Sequence, residues 1–345
     1  MKFYLRYITA LVFLLAAAYY IPSVATAHEV YVLDHNEISE GLSAPRSDFV
    51  QTVQNHLSQF IISGLVAVLL VLGVYGISHI TFIEKTFDPF LYRMKRFAPH
   101  ITQGTLGLAL VSGGFFQAAF GPELPLSDIF GSAAGVFQYI YIILGACILF
   151  GIYPRIASTV TFFLLLPLIV VYKTYILNYG TYFGEALALA LFGGGYALVK
   201  AKTPAFEKNI ERHVHKYKFL LLRIAFGTSL LYASAYAKYI HGGLAILTVT
   251  RYHLTQYIPF DADFVVLGAF ITELLIGLFF LIGFEIRFTS LLFLFFLTLS
   301  ILFFGEAVWP HIILIGTSLA MFTHGYDRYT VVAKISQRKD LEPVL

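Results

Sequence analysis

The chain has 345 residues, 58% hydrophobic and only 12% charged, against roughly 25% charged in an average soluble domain. Its about 200 apolar residues suffice for eight to ten spans of about 20 residues each, which excludes a soluble enzyme with one ordinary core, a disordered chain and, because the runs are continuous, a membrane β-barrel. The single cysteine, Cys147, excludes an intramolecular disulfide, a CxxC relay and a CxxCH haem site, and a net charge of +3 does not point to nucleic acid.

The chain opens like an address. Lys2 and Arg6 precede an apolar stretch from Tyr7 to Ile21, and Ala25-Thr26-Ala27 supplies the small-x-small pattern of a signal-peptidase site. The expectation is a signal peptide over 1–27 with a mature start at His28; an uncleaved first anchor is the other reading. A polar segment, 28–56, follows and would be exported. It carries Asp34, His35, Glu37, Glu40 and Asp48.

Nine apolar runs then come in order: Leu57–Ile83, Ile101–Gly121, Ala133–Tyr153, Ile156–Tyr172, Thr181–Val199, Phe219–Ile240, Phe264–Phe284, Phe288–Phe304 and Trp309–Phe322. Their length predicts an all-α, polytopic membrane protein with nine spanning helices after the signal peptide. Lys and Arg crowd alternate loops. Lys85, Arg93, Lys95 and Arg96 lie before the second run, six basic residues lie in 200–218, and Arg328, Lys334, Arg338 and Lys339 lie in the tail. The opposite loops hold only Arg46, Lys173 and Arg251. By the positive-inside rule the mature N-terminus is outside and the C-terminus cytoplasmic, in a plasma or inner membrane.

The chain also repeats itself. Gly145-x5-Gly151-x3-Arg155-x2-Ser158 matches Gly277-x5-Gly283-x3-Arg287-x2-Ser290. Leu189-Ala190-x-Phe192 with Gly195-Tyr196 matches Leu319-Ala320-x-Phe322 with Gly325-Tyr326, and Gly107 pairs with Gly227. Two parallel four-helix units are expected, 101–200 and 219–330, related by an axis along the membrane normal and joined by the basic linker 201–218. Before them stand an extra helix and basic loop, 57–100; after them comes a tail, 331–345. Gly145, Gly151, Gly227, Gly277 and Gly283 read as helix-packing positions, where a missing Cβ lets backbones approach. Arg155 and Arg287 read as topology anchors in cytoplasmic turns.

Polar residues inside the spans carry the functional expectation. Glu273 lies near the middle of the seventh run, where a carboxylate costs several kcal/mol unless it meets protein, water or a counter-ion. Arg223, Gly227, Ser234, Lys238 and His241 fall on one stripe of the sixth run at helical spacing. Arg223, Lys238, Glu273 and His311 are therefore the candidates for a ligand or polar cavity, with Glu273 the partner of the stripe. A buried ion pair fixing helix register is the competing reading. The matched positions of the first unit, Gln103, Ala118 and Tyr141, carry no charge, so that unit reads as scaffold. Glu185 and Glu306 read as reaching interfacial water, and Trp309 as an interfacial anchor. His28 and His35 of the exported segment are the candidates for copper or zinc, although no spacing matches a metal motif.

In the second unit, Leu222-Arg223-Ile-Ala-Phe-Gly227 followed by Lys238, then Glu273-x3-Gly277-x5-Gly283-x3-Arg287, and finally Gly325-Tyr326-Asp327-Arg328-Tyr329 resemble the DoxX family of small membrane proteins. The likeness covers about 219–330, and 101–200 would be a degenerate copy lacking the Arg, Lys and Glu. The resemblance implies a four-helix membrane bundle, quinone or another lipid-soluble redox molecule as ligand, and a membrane redox partner protein. It fixes no catalytic residue. Because no flavin fingerprint, cysteine cluster or haem pair is encoded, electrons would come from a partner or from the quinone. The alternative is a non-enzymatic membrane carrier or scaffold, metal-related through the exported histidines.

Overall fold

The structure is a computed structural model and describes residues 33, 35–44, 47–78, 80–199, 217–327 and 329–332. The expected signal peptide, His28, Arg46, most of the 201–218 linker, Arg328 and the tail beyond residue 332 lie outside the described residues.

The described chain is helical, and its only β pairings are two isolated bridges, Ala118 with Pro125 and Ile152 with Val199. In order the helices are α1 (His35–Ser43), α2 (Phe49–Asn55), α3 (Leu57–Ser78), α4 (Thr81–Met94), α5 (Ala98–Phe115), α6 (Leu126–Phe130) and α7 (Ala134–Leu149). There follow α8 (Pro154–Tyr172), α9 (Gly180–Phe192), α10 (Lys218–Ser234), α11 (Gly242–Arg251), α12 (Ala262–Ile282), α13 (Ile286–Phe304) and α14 (Ile312–His324).

Among the described residues six helical stretches are long and apolar enough to cross a membrane: Leu57–Ser78, Leu126–Leu149, Pro154–Phe192, Lys218–Ile240, Ala262–Ile282 and Ile286–Phe304. The chain is thus an all-helical protein with the hallmarks of a multi-pass membrane protein. The difference from nine expected runs has physical causes. Pro154–Phe192 spans 39 residues but breaks at the 3-10 segment Lys173–Tyr179, where Lys173 takes φ 50°, into α8 and α9, which pack against each other. The 181–199 run stops as a helix at Phe192, because Gly193 turns left-handed at φ 75° and donates its N–H to Leu189 O. At about 1.5 Å per residue the 13 residues of α9 or of α14 make about 20 Å, less than the hydrocarbon thickness. Helix α5 is 18 residues long, but Thr102, Gln103 and Thr105 dilute its apolar character. All three are buried, and each hydrogen-bonds a carbonyl, of Ala98, Ile148 and Ile101 respectively.

One sequence expectation changes here. The basic stretch before the second run is not a loop: 81–94 form α4, with Pro89 inside it. In the polar segment 28–56 the described residues fold α1 and α2. Asp48 caps α2 by accepting from Gln51 N at 3.0 Å.

The chain divides into two compact units. The first holds Phe97–Phe226 and Ala307–Ala320, and the second holds the described parts of Ala27–Arg96, Gly227–Glu306 and Met321–Leu345. Each unit is organised by a glycine contact between its opening helices. In the first, a Cβ on Gly107 would meet Leu149 N at 2.8 Å and Gly145 O at 2.9 Å, and one on Gly145 would meet Gly107 O at 2.7 Å and Val111 N at 2.8 Å. In the second, a Cβ on Gly227 would meet Gly277 O at 2.8 Å and Leu281 N at 2.9 Å, and one on Gly277 would meet Leu231 N at 3.0 Å. Backbone stands against backbone in both, so neither neighbour can yield by a rotamer change.

Helix α3 behaves differently. Apart from Ser78 none of its residues is buried, and Gly64, Gly73 and Gly76 have nothing near them. At its far end Tyr75 stacks on Phe284 with centroids 6.2 Å apart.

These contacts set a stability test. Gly145→Ala should destabilise the protein by about 1–3 kcal/mol, because overpacking displaces backbone. Gly73→Ala should stay within about 1 kcal/mol of wild type. Thermal melting in detergent reads both, and equal melting of the two variants would refute the packing role.

Candidate functional site

In the second unit α10 leads toward α12 with one face. Gly227 lies on Gly277, Ser234 Oγ donates to Phe270 O at 3.0 Å, and Lys238 Nζ donates to Glu273 Oε2 at 2.7 Å. The polar stripe read from sequence therefore faces α12 over this part of its length. Beyond Ser234 the winding widens. Ala235–Ile240 is a π-helical turn, closed by His241 N donating to Tyr236 O at 3.0 Å. Such turns form poorer helix and recur where a side chain must be re-aimed for function. The side chain carried here is Lys238.

The ion pair is not sealed. Lys238 is 20% exposed and Glu273 is 43% exposed, although Glu273 is the twelfth residue of the 21-residue apolar helix α12. At about 1.5 Å per residue it lies about 16 Å below that helix's start. A half-open carboxylate at that depth must meet something polar, since acyl chains cannot solvate it.

Helix α2 packs on the elements that carry this pair. Phe49 of α2 packs on Tyr239 at 5.8 Å and on Phe270 at 5.1 Å, and Tyr239 and Phe270 stand 6.2 Å apart. Tyr239 and Phe270 come from the two elements that carry Lys238 and Glu273. Helix α1 lies on α11, where a Cβ on Gly41 would meet Leu244 Cα at 3.1 Å and one on Gly243 would meet Gly41 O at 2.7 Å. Leu33, Ile38 and Leu244 form a small apolar core beneath it. Two side-chain contacts tie the segment down, the Arg251–Glu37 ion pair at 2.9 Å and His56 Nε2 against Asp261 at 3.2 Å. Both are at least partly exposed, so they contribute little stability on their own.

The other two sequence candidates fall in the first unit, Arg223 on α10 and His311 in the 3-10 turn before α14. Each is 2% exposed, and His311 Nδ1 lies 2.9 Å from Ala307 O. Trp309 stacks on Phe116 with centroids 4.8 Å apart. Of the metal candidates, His28 lies outside the described residues and His35 lies in α1. Among the described residues no cluster of three or more His, Cys, Asp or Glu could hold a metal ion.

Sequence reasoning misplaced one carboxylate, Glu185, and missed two others, Glu123 and Glu285. Glu185 does not reach interfacial water: it is fully buried, and its Oε1 lies 2.6 Å from Thr317 Oγ1. Glu123 is 4% exposed and accepts a hydrogen bond from the Tyr179 hydroxyl. The first unit is therefore not the uncharged scaffold that Gln103, Ala118 and Tyr141 suggested. Glu285, in the turn between α12 and α13, is 1% exposed and accepts from Tyr326 OH at 2.5 Å and Ser78 Oγ at 3.2 Å.

Beside it Arg287 is buried, not a surface anchor. Its Nε donates to Phe322 O at 3.1 Å, and its guanidinium stands 6.0 Å from the Tyr326 ring centroid and against Gly325. Gly325 takes φ 69°, which a residue with a Cβ rarely adopts. Burial, and then the Glu285 carboxylate, push the Tyr326 hydroxyl well above its ordinary range, so it stays a donor to Glu285.

No protein-family profile, curated protein or solved structure matches this chain.

The polar knot at the end of α14 gives a prediction. Tyr326→Phe deprives buried Glu285 of one donor and should cost about 1–3 kcal/mol. Gly325→Ala adds a Cβ both to a left-handed backbone and against the Arg287 guanidinium, so it should cost at least as much. Melting curves indistinguishable from wild type for both variants would contradict this assignment.

Proposed function

We propose that the chain is a multi-pass membrane protein of DoxX-like build whose Lys238–Glu273 pair binds the polar head of a lipid-soluble ligand of the quinone class. The observation that carries the reading is the 43% exposure of a mid-helix carboxylate already paired with a lysine. A pair serving only helix register gains from closure, whereas an open one offers an N–H donor and a carboxylate to a ligand arriving from the bilayer. A quinone head presents carbonyl acceptors that match Lys238, and its reduced, quinol form presents hydroxyl donors that match Glu273. The Phe49, Tyr239 and Phe270 rings offer aromatic faces next to it. A membrane redox partner would exchange electrons with the bound quinone.

The tandem-repeat part of this reading draws support from matched local geometry. Gly151 and Gly283 are both left-handed, at φ 70° and 73°, and the residues two further on, Tyr153 and Glu285, are left-handed as well, at 48° and 39°. A Cβ on Gly193 would meet Arg155, as one on Gly325 would meet Arg287. That pairing shifts the match at the fourth helices by two residues from the one suggested by Gly195-Tyr196, so Glu185 becomes the counterpart of Thr317. In the first unit Gly184 then meets Ala225 and Gly316 meets Thr105, at matched positions on the two first helices. The fourth helix of each repeat packs on the first helix of the other. On this reading the short helices α5, α9 and α14 complete the nine spans.

Orientation is tested by labelling. In a Cys147→Ala background, cysteines at Ser43 and Thr255 should react with an impermeant thiol reagent on intact cells, and one at Lys208 should not. Labelling at Lys208 alone would reverse the topology.

The ligand is tested with Glu273→Gln. Loss of a charge-assisted contact should cut co-purified quinone about tenfold or more, while the half-open position should keep the melting cost below about 2 kcal/mol. Wild-type quinone content in a stably folded Glu273→Gln protein contradicts the ligand reading. A large melting loss that Lys238→Met restores favours the register lock instead.

A further inference from the structure

The first unit has a second, independent polar feature. Glu185 is fully buried on α9, and Thr317, also fully buried, reaches it from α14. Thr317 Oγ1 lies 2.6 Å from Glu185 Oε1 and 2.7 Å from Ile313 O. A threonine hydroxyl has one proton, and a carbonyl has none to give. If Thr317 donates to Ile313 O, the usual back-bond of a helical threonine, its contact with Glu185 needs a proton on the carboxyl. If it donates to Glu185, Ile313 O and Thr317 Oγ1 face each other at 2.7 Å with no proton between them. A carboxylic acid whose O–H donates to Thr317 Oγ1 satisfies both contacts with a full hydrogen bond each, where an ionised carboxylate would leave one threonine proton shared between two acceptors.

The surroundings agree. Among the described residues no cation is in ion-pair contact with Glu185, and its Oε2 has no hydrogen-bond partner. Thr181 lies one turn earlier on the same face of α9, and its hydroxyl is likewise buried without a partner. So is the hydroxyl of Tyr141 on α7. Tyr182 lies within electrostatic reach of Glu185, Tyr141 and Glu123 together. The titratable groups on the packed elements include these, Tyr172 on α8, Lys173, Tyr175 and Tyr179 on the 3-10 segment before α9, His100 on α5, Lys218 and Arg223 on α10, and His311 in the turn before α14; Lys218 is turned to Gly193 O at 3.3 Å. Arg155, also on α8, is turned to Gly193 beyond the opposite end of α9. An ionised carboxylate here would be buried with no compensating charge, which the apolar interior penalises heavily.

We infer that Glu185 is an intramembrane proton-binding site, holding one proton as a neutral acid hydrogen-bonded to Thr317. The carboxylate takes one proton from water and returns it, and no other bond changes. The site is separate from Lys238–Glu273 and does not depend on a quinone.

Infrared spectroscopy of the full chain in lipid tests this. At neutral pH the wild-type minus Glu185→Gln difference spectrum should contain the C=O stretch of one protonated carboxylic acid, moving to lower frequency in D2O. Thr317→Val should retain that band and shift it upward, because the acid loses its acceptor. The second variant keeps the test alive if Glu185→Gln does not fold. Carboxylate stretches without an acid band in the difference spectrum, or an acid band unmoved by Thr317→Val, would overturn the inference.

Discussion

Every polar group placed inside this apolar chain needs its own compensation, and the structure supplies three kinds. Lys238 and Glu273 neutralise each other across two helices at 2.7 Å. Glu285 and Arg287 are buried among specific partners: Tyr326 and Ser78 donate to the acid, and Arg287 donates to Phe322 O. Glu185 has neither an ion-pair partner nor a saturated hydrogen-bond shell among the described residues, which leaves protonation as its compensation. The cost of a bare charge in a low-dielectric interior explains why these three arrangements differ.

Glycine makes the pairing possible. Lys238 reaches Glu273 because Gly227 and Gly277 bring α10 and α12 into backbone contact, and Gly107 and Gly145 do the same for α5 and α7. The helices pack on backbone atoms, which fixes their register as well as their distance. Helix α1 then packs on α11 through Gly41, Gly243 and the Glu37–Arg251 pair, and α2 follows it. Phe49 is thereby held against the rings beside the ion pair.

Much of this was legible in the sequence because length and spacing carry it. Continuous apolar runs announce an all-helical membrane protein. The Gly145 and Gly277 motifs mark helix contacts, and four-residue spacing puts Glu273 and Gly277 on the face that meets α10. The rest turns on depth and direction, which sequence does not encode. Glu185 looked interfacial because it lies six residues from the start of its helix, yet α14 covers it. Arg287 looked like an anchor because arginines in cytoplasmic turns usually point to water, yet Gly325 leaves room for it beneath the end of α14. Glu285 and Glu123 sit in turns, where a carboxylate attracts no notice until burial is known. The π turn at Ala235–Ile240 leaves no signature in the residues themselves.

The central claim is that the open side of Glu273 meets a polar ligand inside the bilayer. A side-chain-resolving electron cryomicroscopy map of the full chain in lipid nanodiscs tests it most directly. The account predicts density for a non-protein molecule within hydrogen-bond distance of the Lys238–Glu273 pair, with the Phe49, Tyr239 and Phe270 rings beside it. Featureless acyl-chain density against the pair, or a pair closed off from the bilayer with no molecule bound, would contradict it.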